Sequence, residues 1–120
     1  MKNIASDIFR QRLLIEGYCN IDVTRAVVDD YLRSVARHLG LRTYADPIIY
    51  SPTSGAGKAE NQGYDAFVPL IDSGISLYIW TQIRFFSIVL YSCKEFDVQA
   101  ALAFTRDFFK VSTEIEYMSF

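Results

Sequence analysis

The sequence has little cysteine, little histidine and no excess of positive charge, and each shortage excludes a class of protein. Two cysteines and one histidine are too few for a four-ligand zinc site or for a disulfide-rich scaffold. Twelve Lys and Arg against 14 Asp and Glu give a net charge of −2, whereas nucleic-acid-binding proteins carry a basic excess on one face. We therefore expect neither a metal ion nor a nucleic-acid partner.

Long hydrophobic runs are also absent. The apolar runs ISLYIW and FFSIVLY are far shorter than the ~20 residues that a membrane-spanning helix needs. The N-terminus, MKNIASDIFRQRLL, lacks the apolar segment and the cleavage site of a secretion signal. These features predict a cytoplasmic protein with reduced thiols and no membrane partner.

Aromatic residues, in contrast, are abundant. Nine Phe, eight Tyr and one Trp make up 15% of the 120 residues, and 51% of the chain is hydrophobic, which excludes intrinsic disorder. The length predicts a single domain over residues 1–120. Because each aromatic side chain buries a large apolar area, so small a monomer does not easily cover them all. The composition therefore favours a homodimer.

Hydrophobic periodicity predicts the element order β-α-β-β-β-β-α-β. Predicted strands cover residues 13–19, 41–50, 64–72, 75–84, 85–93 and 112–120, and predicted helices cover 24–39 and 98–109. The order predicts an α+β fold, a two-layer α/β sandwich with an antiparallel-rich sheet and both helices on one face. The other face would then stay apolar, and packing it sheet to sheet against a second copy would cover the aromatic side chains.

Few residues stand out as chemical groups on their own. His38 falls in the last turn of the first helix, where a cation suits the helix dipole, so a capping or surface role is favoured. Cys93 ends an apolar strand, which is compatible with a reactive thiol or with a small core residue. Asp72, Ser73 and Gly74 have the composition of a hairpin turn in which the glycine supplies a positive φ.

The segment from Asp72 to Trp80, DSGISLYIW, carries more information when it is taken together with Tyr91-Ser92-Cys93. It resembles the signature of the small prokaryotic S-adenosylmethionine decarboxylases, Glu-Ser-His-Leu-Thr-Ile-His-Thr-Trp-Pro-Glu followed by a strand that ends in Phe-Thr-Cys. The spacing from Ser to Trp to Cys is the same, without a gap. The opening segment LLIEGYCNID and the pair Gln62-Gly63 are also similar to the family's pattern.

The resemblance implies a distinctive chemistry. Ser73 would be the precursor of a pyruvoyl group, formed when the serine attacks the carbonyl of Asp72 and the chain is cleaved between the two residues. The resulting ketone is an electron sink for the decarboxylation of S-adenosylmethionine in polyamine biosynthesis. Cys93 matches the cysteine that gives a proton to the decarboxylated product, and Trp80 and Gln82 fall in the substrate-binding part of the signature.

The sequence departs from the family pattern where the chemistry is done. Tyr78 replaces the histidine that serves self-processing, and a phenol, which in general ionises near pH ~10, is a poor base at neutral pH. Gly74 replaces the other histidine, Gln82 replaces a glutamate, and Asp65 replaces a serine hydroxyl. In a working enzyme Asp65 or Tyr78 would have to take over the proton transfer.

We therefore expect an S-adenosylmethionine decarboxylase-related protein that stays unprocessed and acts as a ligand-binding or regulatory homologue. Its pocket would lie by Ser73, Tyr78, Trp80 and Cys93, with residues 51–63 as a lid and no cofactor. Its ligand would be a small amine or a nucleoside such as S-adenosylmethionine. One alternative is an active pyruvoyl-dependent decarboxylase of S-adenosylmethionine or another amino acid. Another is an interaction module without a small-molecule ligand.

Overall fold

A computed structural model of the chain describes residues 1–51 and 62–120, and one antiparallel sheet covered by two helices accounts for its regular structure. The strands lie side by side in the order β2-β3-β4-β5-β1-β6. The elements are β1 (Gln11–Tyr18), α1 (Arg25–His38), β2 (Ile48–Tyr50), β3 (Gly63–Leu70), β4 (Ser73–Trp80), β5 (Phe85–Ser92), α2 (Val98–Phe108) and β6 (Glu116–Ser119).

Side-chain caps and a glycine set the ends of the helices. The Thr24 hydroxyl accepts a hydrogen bond from the Val27 amide, and the Asp97 carboxylate accepts one from the Ala100 amide, so both helices begin where the sequence predicts. Gly40, just beyond α1, has a φ of +72°, a conformation that a glycine adopts without steric cost.

Both helices lie on one face of the sheet, as predicted. Phe86 of β5 stacks on Phe109 with ring centroids 4.8 Å apart, and Phe109 in turn lies 4.9 Å from the ring of Tyr31 on α1. The hydroxyls of Tyr31 and Thr105 share a hydrogen bond of 2.8 Å that ties α1 to α2. The predicted two-layer α+β sandwich is therefore confirmed.

We call the opposite side of the sheet the open face. Its side chains form transverse rows, one residue from each strand, because partners in antiparallel strands share a face. The row nearest the β3–β4 turn, the turn row, contains Pro69, Gly74, Tyr91 and Arg12. The next, the apolar row, contains Ile48, Phe67, Ser76, Val89, Leu14 and Met118. The third, the acidic row, contains Tyr50, Asp65, Tyr78, Ser87, Glu16 and Glu116.

Three predicted strands have a boundary that is wrong by four residues or more. The last strand, predicted from residue 112, begins only at Glu116. The strand predicted over 75–84 ends at Trp80, because a four-residue turn follows. In this turn Arg84 has a φ of +57°, and its carbonyl accepts a hydrogen bond from the backbone amide of Cys19. The strand predicted over 41–50 is reduced to Ile48–Tyr50, with one isolated bridge at Thr43. Pro47 has no amide hydrogen to donate, which limits strand pairing before Ile48.

Candidate active site at the turn between strands three and four

The candidate site is built on the turn that joins β3 to β4. Leu70 and Ser73 are paired, so only Ile71 and Asp72 form the turn. Asp72 has a φ of +54°, in the left-handed region that non-glycine residues seldom occupy. The expectation that Gly74 supplies the positive φ is therefore wrong. Gly74 is the second residue of β4, and the strained backbone falls on the residue before Ser73.

Ser73 and Cys93 are brought together across the sheet. The Ser73 Oγ accepts a hydrogen bond of 2.9 Å from the backbone amide of Cys93, twenty positions later in the chain. Because the hydroxyl is the acceptor in this bond, its own hydrogen stays available for transfer. The pyruvoyl precursor and the proton donor that the resemblance implies are thus neighbours at one end of the sheet.

A cavity of about 260 Å³ lies beside these residues, between the sheet end and the loop that follows α1. Its charged and reactive lining consists of Arg42, Asp72, Ser73, Cys93 and Lys94. The Lys94 Nζ donates a hydrogen bond of 3.0 Å to the carbonyl of Gly40, which ties the end of β5 to that loop. The cavity therefore combines a hydroxyl and a thiol-bearing residue with two cations and one carboxylate.

The two cysteines differ in their surroundings. Cys19 is buried, its Sγ donates to the Arg84 carbonyl at 3.3 Å, and burial raises the pKa of its thiol. Cys93 is partly exposed and lines the cavity. Of the two, Cys93 is the thiol that a small molecule can reach.

Asp65 and Tyr78 lie elsewhere in the chain. They are directly opposite each other on β3 and β4, in the acidic row of the open face, and both are exposed. Tyr78 is five residues along β4 from Ser73, a separation of roughly 17 Å at ~3.4 Å per residue. Within one chain, neither side chain reaches the Ser73 hydroxyl.

Trp80 and Gln82 are farther still from the turn. Trp80 ends β4 and packs on Phe85 with ring centroids 5.4 Å apart, and Gln82 is exposed in the β4–β5 turn. Seven residues of strand separate Trp80 from Ser73, about 24 Å. The expectation that Tyr78 and Trp80 line one pocket with Ser73 and Cys93 is therefore wrong for a single chain. The predicted lid falls mostly on residues 52–61, outside the described residues.

No histidine lies at the β3–β4 turn, where the family pattern has one beside the serine. A Cβ atom at Gly74 would lie 2.4 Å from Cε2 of Phe67, so the ring of Phe67 occupies the space where a side chain at this position would begin. The single histidine of the chain, His38, is exposed at the end of α1 and stacks on Phe104 of α2 at 4.9 Å. It is absent from the described lining of the cavity.

The sequence gives no direct sign of the cavity's two cations. Arg42 comes from the loop after α1 and Lys94 from the segment after β5, and only the fold brings them to Ser73. Neither has a clear signal, since Lys94 directly follows the strand predicted over 85–93 and Arg42 lies inside the strand predicted over 41–50. Among the described residues, no group of three or more His, Cys, Asp and Glu is placed to hold a metal ion.

The geometry of the turn agrees with a comparison of sequences. A model of the S-adenosylmethionine decarboxylase family matches residues 14–119, nearly the whole chain. The chain belongs to the S-adenosylmethionine decarboxylase family. The match includes the β3–β4 turn, the strand end at Cys93, the part of β1 from Leu14 onward and every later strand and helix.

A comparison of structures agrees on the fold. The chain is similar to the crystal structure of the adenosylmethionine decarboxylase from Aquifex aeolicus VF5, with a TM-score of 0.70 and 15% sequence identity. The similarity covers 94% of this chain and 89% of that one. A search of the curated proteins gives no match. No helix in the described part of this family member is long and apolar enough to cross a membrane.

Proposed function

We propose that this S-adenosylmethionine decarboxylase family member keeps Ser73 as an ordinary serine and works as an unprocessed ligand-binding or regulatory homologue. One observation carries the proposal: Ser73 and Cys93 are together at the turn, but no histidine accompanies them. The hydroxyl nucleophile therefore has no general base of the usual kind.

The two positions where the family has histidines support this proposal. At one of them, Gly74, the space for a side chain is taken by the ring of Phe67. At the other, Tyr78, the side chain is a phenol that points to the open face, roughly 17 Å along the strand from Ser73. Self-processing thus lacks both its usual side chains and a near substitute.

The cavity supports a small ligand. A volume of about 260 Å³ is slightly below the ~300–1,000 Å³ of typical ligand sites, so the cavity suits a small amine or one part of a nucleoside such as S-adenosylmethionine. Asp72 gives an ammonium or sulfonium group a carboxylate to pair with. Arg42 and Lys94 give a ligand carboxylate two cations.

The open face supports a homodimer. Tyr50 is 69% exposed and Phe67 40%, and Tyr18, Tyr78, Tyr91 and Met118 are also among the exposed large side chains of this face. Contiguous apolar surface of this kind marks interaction sites in soluble proteins. In this proposal a second copy covers the open face, sheet to sheet. The dimer then binds the small ligand or regulates an active relative.

The first test is the intact mass of freshly purified protein under denaturing conditions. We expect one species at 13.7 kDa. The matched control is Ser73→Ala, which cannot form a pyruvoyl group and should give the same pattern. Two fragments, residues 1–72 and 73–120, in the wild type but not in the control would overturn the unprocessed state.

A second test addresses the ligand. Because a ligand that binds only the folded chain stabilises it, S-adenosylmethionine well above its Kd should raise the melting temperature. Asp72→Asn and Arg42→Gln change the cavity charges without changing the core, and they should reduce the shift. Arg25→Gln, remote from the cavity, should not. An unchanged melting temperature at millimolar ligand would remove S-adenosylmethionine from the proposal.

The alternative function is an active pyruvoyl-dependent decarboxylase, and the turn itself favours it. Two observations support this alternative: the strained φ of +54° at Asp72, and the 2.9 Å hydrogen bond that brings Ser73 beside Cys93, the residue to which the resemblance assigns proton donation. Because Tyr78 is remote within one chain, this enzyme would need Tyr78 or Asp65 from a second copy. Release of carbon dioxide from S-adenosylmethionine by a cleaved sample, abolished in Ser73→Ala, would establish it.

A further inference from the structure

Arg12 is an unusual residue on the open face. It lies on β1 in the turn row, opposite Tyr91, and its guanidinium stands over the ring of Phe120 at 5.5 Å. Its Nε is buried and has no hydrogen-bond partner among the described residues. A buried donor without a partner is unfavourable, and a charged one especially so. Among the described residues, no Asp or Glu forms an ion pair with Arg12, so the single chain leaves the charge of this guanidinium without an acidic partner.

The acidic row has the opposite deficit. Glu16 on β1 and Glu116 on β6 are directly opposite each other, and like charges in such a pair repel. The Ser87 hydroxyl donates to one oxygen of Glu16 at 2.7 Å, but no strand residue of the row is a Lys or Arg. An incoming cation would therefore relieve the repulsion between the two glutamates.

Because the rows are evenly spaced, one arrangement of two copies places the cation of the turn row opposite the glutamates of the acidic row. The turn row, the apolar row and the acidic row are successive, each two residues further along the strands. A two-fold axis that runs along the apolar row turns the turn row of one copy onto the acidic row of the other. The same rotation leaves β1 facing β1, so Arg12 comes opposite Glu16 of the second copy.

This arrangement also suits the side chains on the axis. Leu14, Val89 and Met118 of the apolar row would pack against the same residues of the second copy, as a self-complementary two-fold interface requires. Facing sheets pack at ~10 Å, a gap that an arginine and a glutamate side chain together can span.

We propose that Arg12 of one copy pairs with Glu16 of the second copy and that these two symmetric ion pairs set the register of the sheet-to-sheet dimer. The inference rests on the dimer of the proposed function and adds to it the residues that specify how the faces meet. A charge pair of this kind contributes to specificity and register as well as to affinity.

Charge reversal with sedimentation velocity on the full chain tests the pair. Arg12→Glu and Glu16→Arg should each raise the dimer dissociation constant by about tenfold or more at low salt, since each places like charges across the interface. The double variant, Arg12→Glu with Glu16→Arg, should restore the dimer to within about threefold of the wild type. Arg106→Glu, the same charge change at an exposed position on α2, should leave association unchanged.

The outcomes separate this inference from the dimer on which it rests. A wild-type chain that stays monomeric at every concentration would overturn the dimer and the pair together. A wild-type dimer that Arg12→Glu leaves equally tight would overturn the pair and keep the dimer. Weakening by both single changes without recovery in the double variant would exclude Glu16 as the partner. Arg12→Gln, with far-UV circular dichroism as the folding control, replaces Arg12→Glu if that variant does not fold.

Discussion

On the helix-covered face of the sheet almost every strand side chain is buried, whereas on the open face large aromatic and charged side chains meet solvent. The buried apolar members of the covered face are Leu13, Ile15, Ala66, Val68, Leu70, Ile75, Leu77, Ile79, Phe86, Ile88 and Leu90. The open face instead holds Phe67 at 40% and Tyr78 at 38% exposure. The covered face thus supplies most of the hydrophobic core, and the open face leaves large side chains exposed.

The candidate site spans this division. Ser73 and Cys93 lie at the strand ends, where a single chain completes their contact, while Asp65 and Tyr78 lie on the open face, away from any partner group of the turn. The departures from the family signature at Tyr78, Gly74 and Asp65 all fall on the open face. These three substitutions therefore fall on the exposed side of the sheet, whereas Ser73 and Cys93 are kept where the strand ends meet.

The largest expected effect comes from truncating the core of the covered face. Phe86→Ala should lower the free energy of unfolding by about 3–5 kcal/mol, because Phe86 is fully buried and stacks on Phe109. Phe67→Ala removes the same ring from the open face, where it is 40% exposed, and should cost less than half as much. Urea denaturation of both variants measures the difference. Equal losses would contradict the division between the two faces.

Alkaline pH should weaken the covered side through Tyr31. Complete burial raises the pKa of this phenol above its usual value, despite the hydrogen bond with Thr105, which lowers it. The folded chain therefore keeps a proton that the unfolded chain loses above pH ~10, and stability is fully present below that pH. It should fall by about 1.4 kcal/mol per pH unit above it.

Tyr31→Phe provides the check, with Tyr44→Phe as the control. Removal of the Tyr31 hydroxyl should cost about 1 kcal/mol at neutral pH. In a Cys19→Ser background, which removes the buried thiol whose pKa is also raised, it should abolish the alkaline slope in urea denaturation midpoints. Tyr44 is 67% exposed, so its loss should leave the slope as in the wild type. A slope that survives in Tyr31→Phe would mean that another group causes it.

Thiol labelling sharpens the comparison at the strand ends. Cys93 lines the cavity, whereas Cys19 is buried and its pKa is raised, so a thiol reagent should modify Cys93 about tenfold faster or more. Cys93→Ser should remove the fast phase, and Cys19→Ser should remove only the slow one. Two equal rates would show that Cys93 is not accessible from the cavity.

Local signals predicted the parts of the fold that local interactions set. The bounds of α1 are right to within one residue, because the Thr24 cap and the positive φ of Gly40 are chemically encoded. The β3–β4 turn was placed too late, because Gly74 was expected to adopt a positive φ. In the structure its lack of a side chain instead leaves space for the ring of Phe67. That use depends on a residue of the neighbouring strand, which composition does not reveal.

The site was predictable to a similar extent. Ser73 and Cys93 end adjacent strands, so their meeting follows from strand length. The prediction that Tyr78 shares a pocket with Ser73 was wrong for one chain, because positions five apart on a strand point to opposite faces. The approach of Arg42 and Lys94 did not follow, because the path of the loop after α1 depends on how the helix packs on the sheet.

The smallest effect is expected from Gly74→Ala. This change tests whether the open face has room for a side chain beside Ser73. A Cβ at this position meets the outer edge of the Phe67 ring at 2.4 Å, but that ring is 40% exposed and can move. Gly74→Ala should therefore destabilise the chain by only about 1 kcal/mol, since the cost of moving the ring is partly offset by the better strand propensity of alanine.

In the background of Phe67→Ala the same change should be neutral or stabilising, because the obstructing ring is gone. The difference between the two backgrounds, about 1 kcal/mol in a double-mutant cycle, is the coupling between Phe67 and Gly74. If the cycle shows no coupling, the ring does not hold the space beside Ser73. Restoring a histidine there would then need one substitution, whereas a measured coupling means that Phe67 has to change with it.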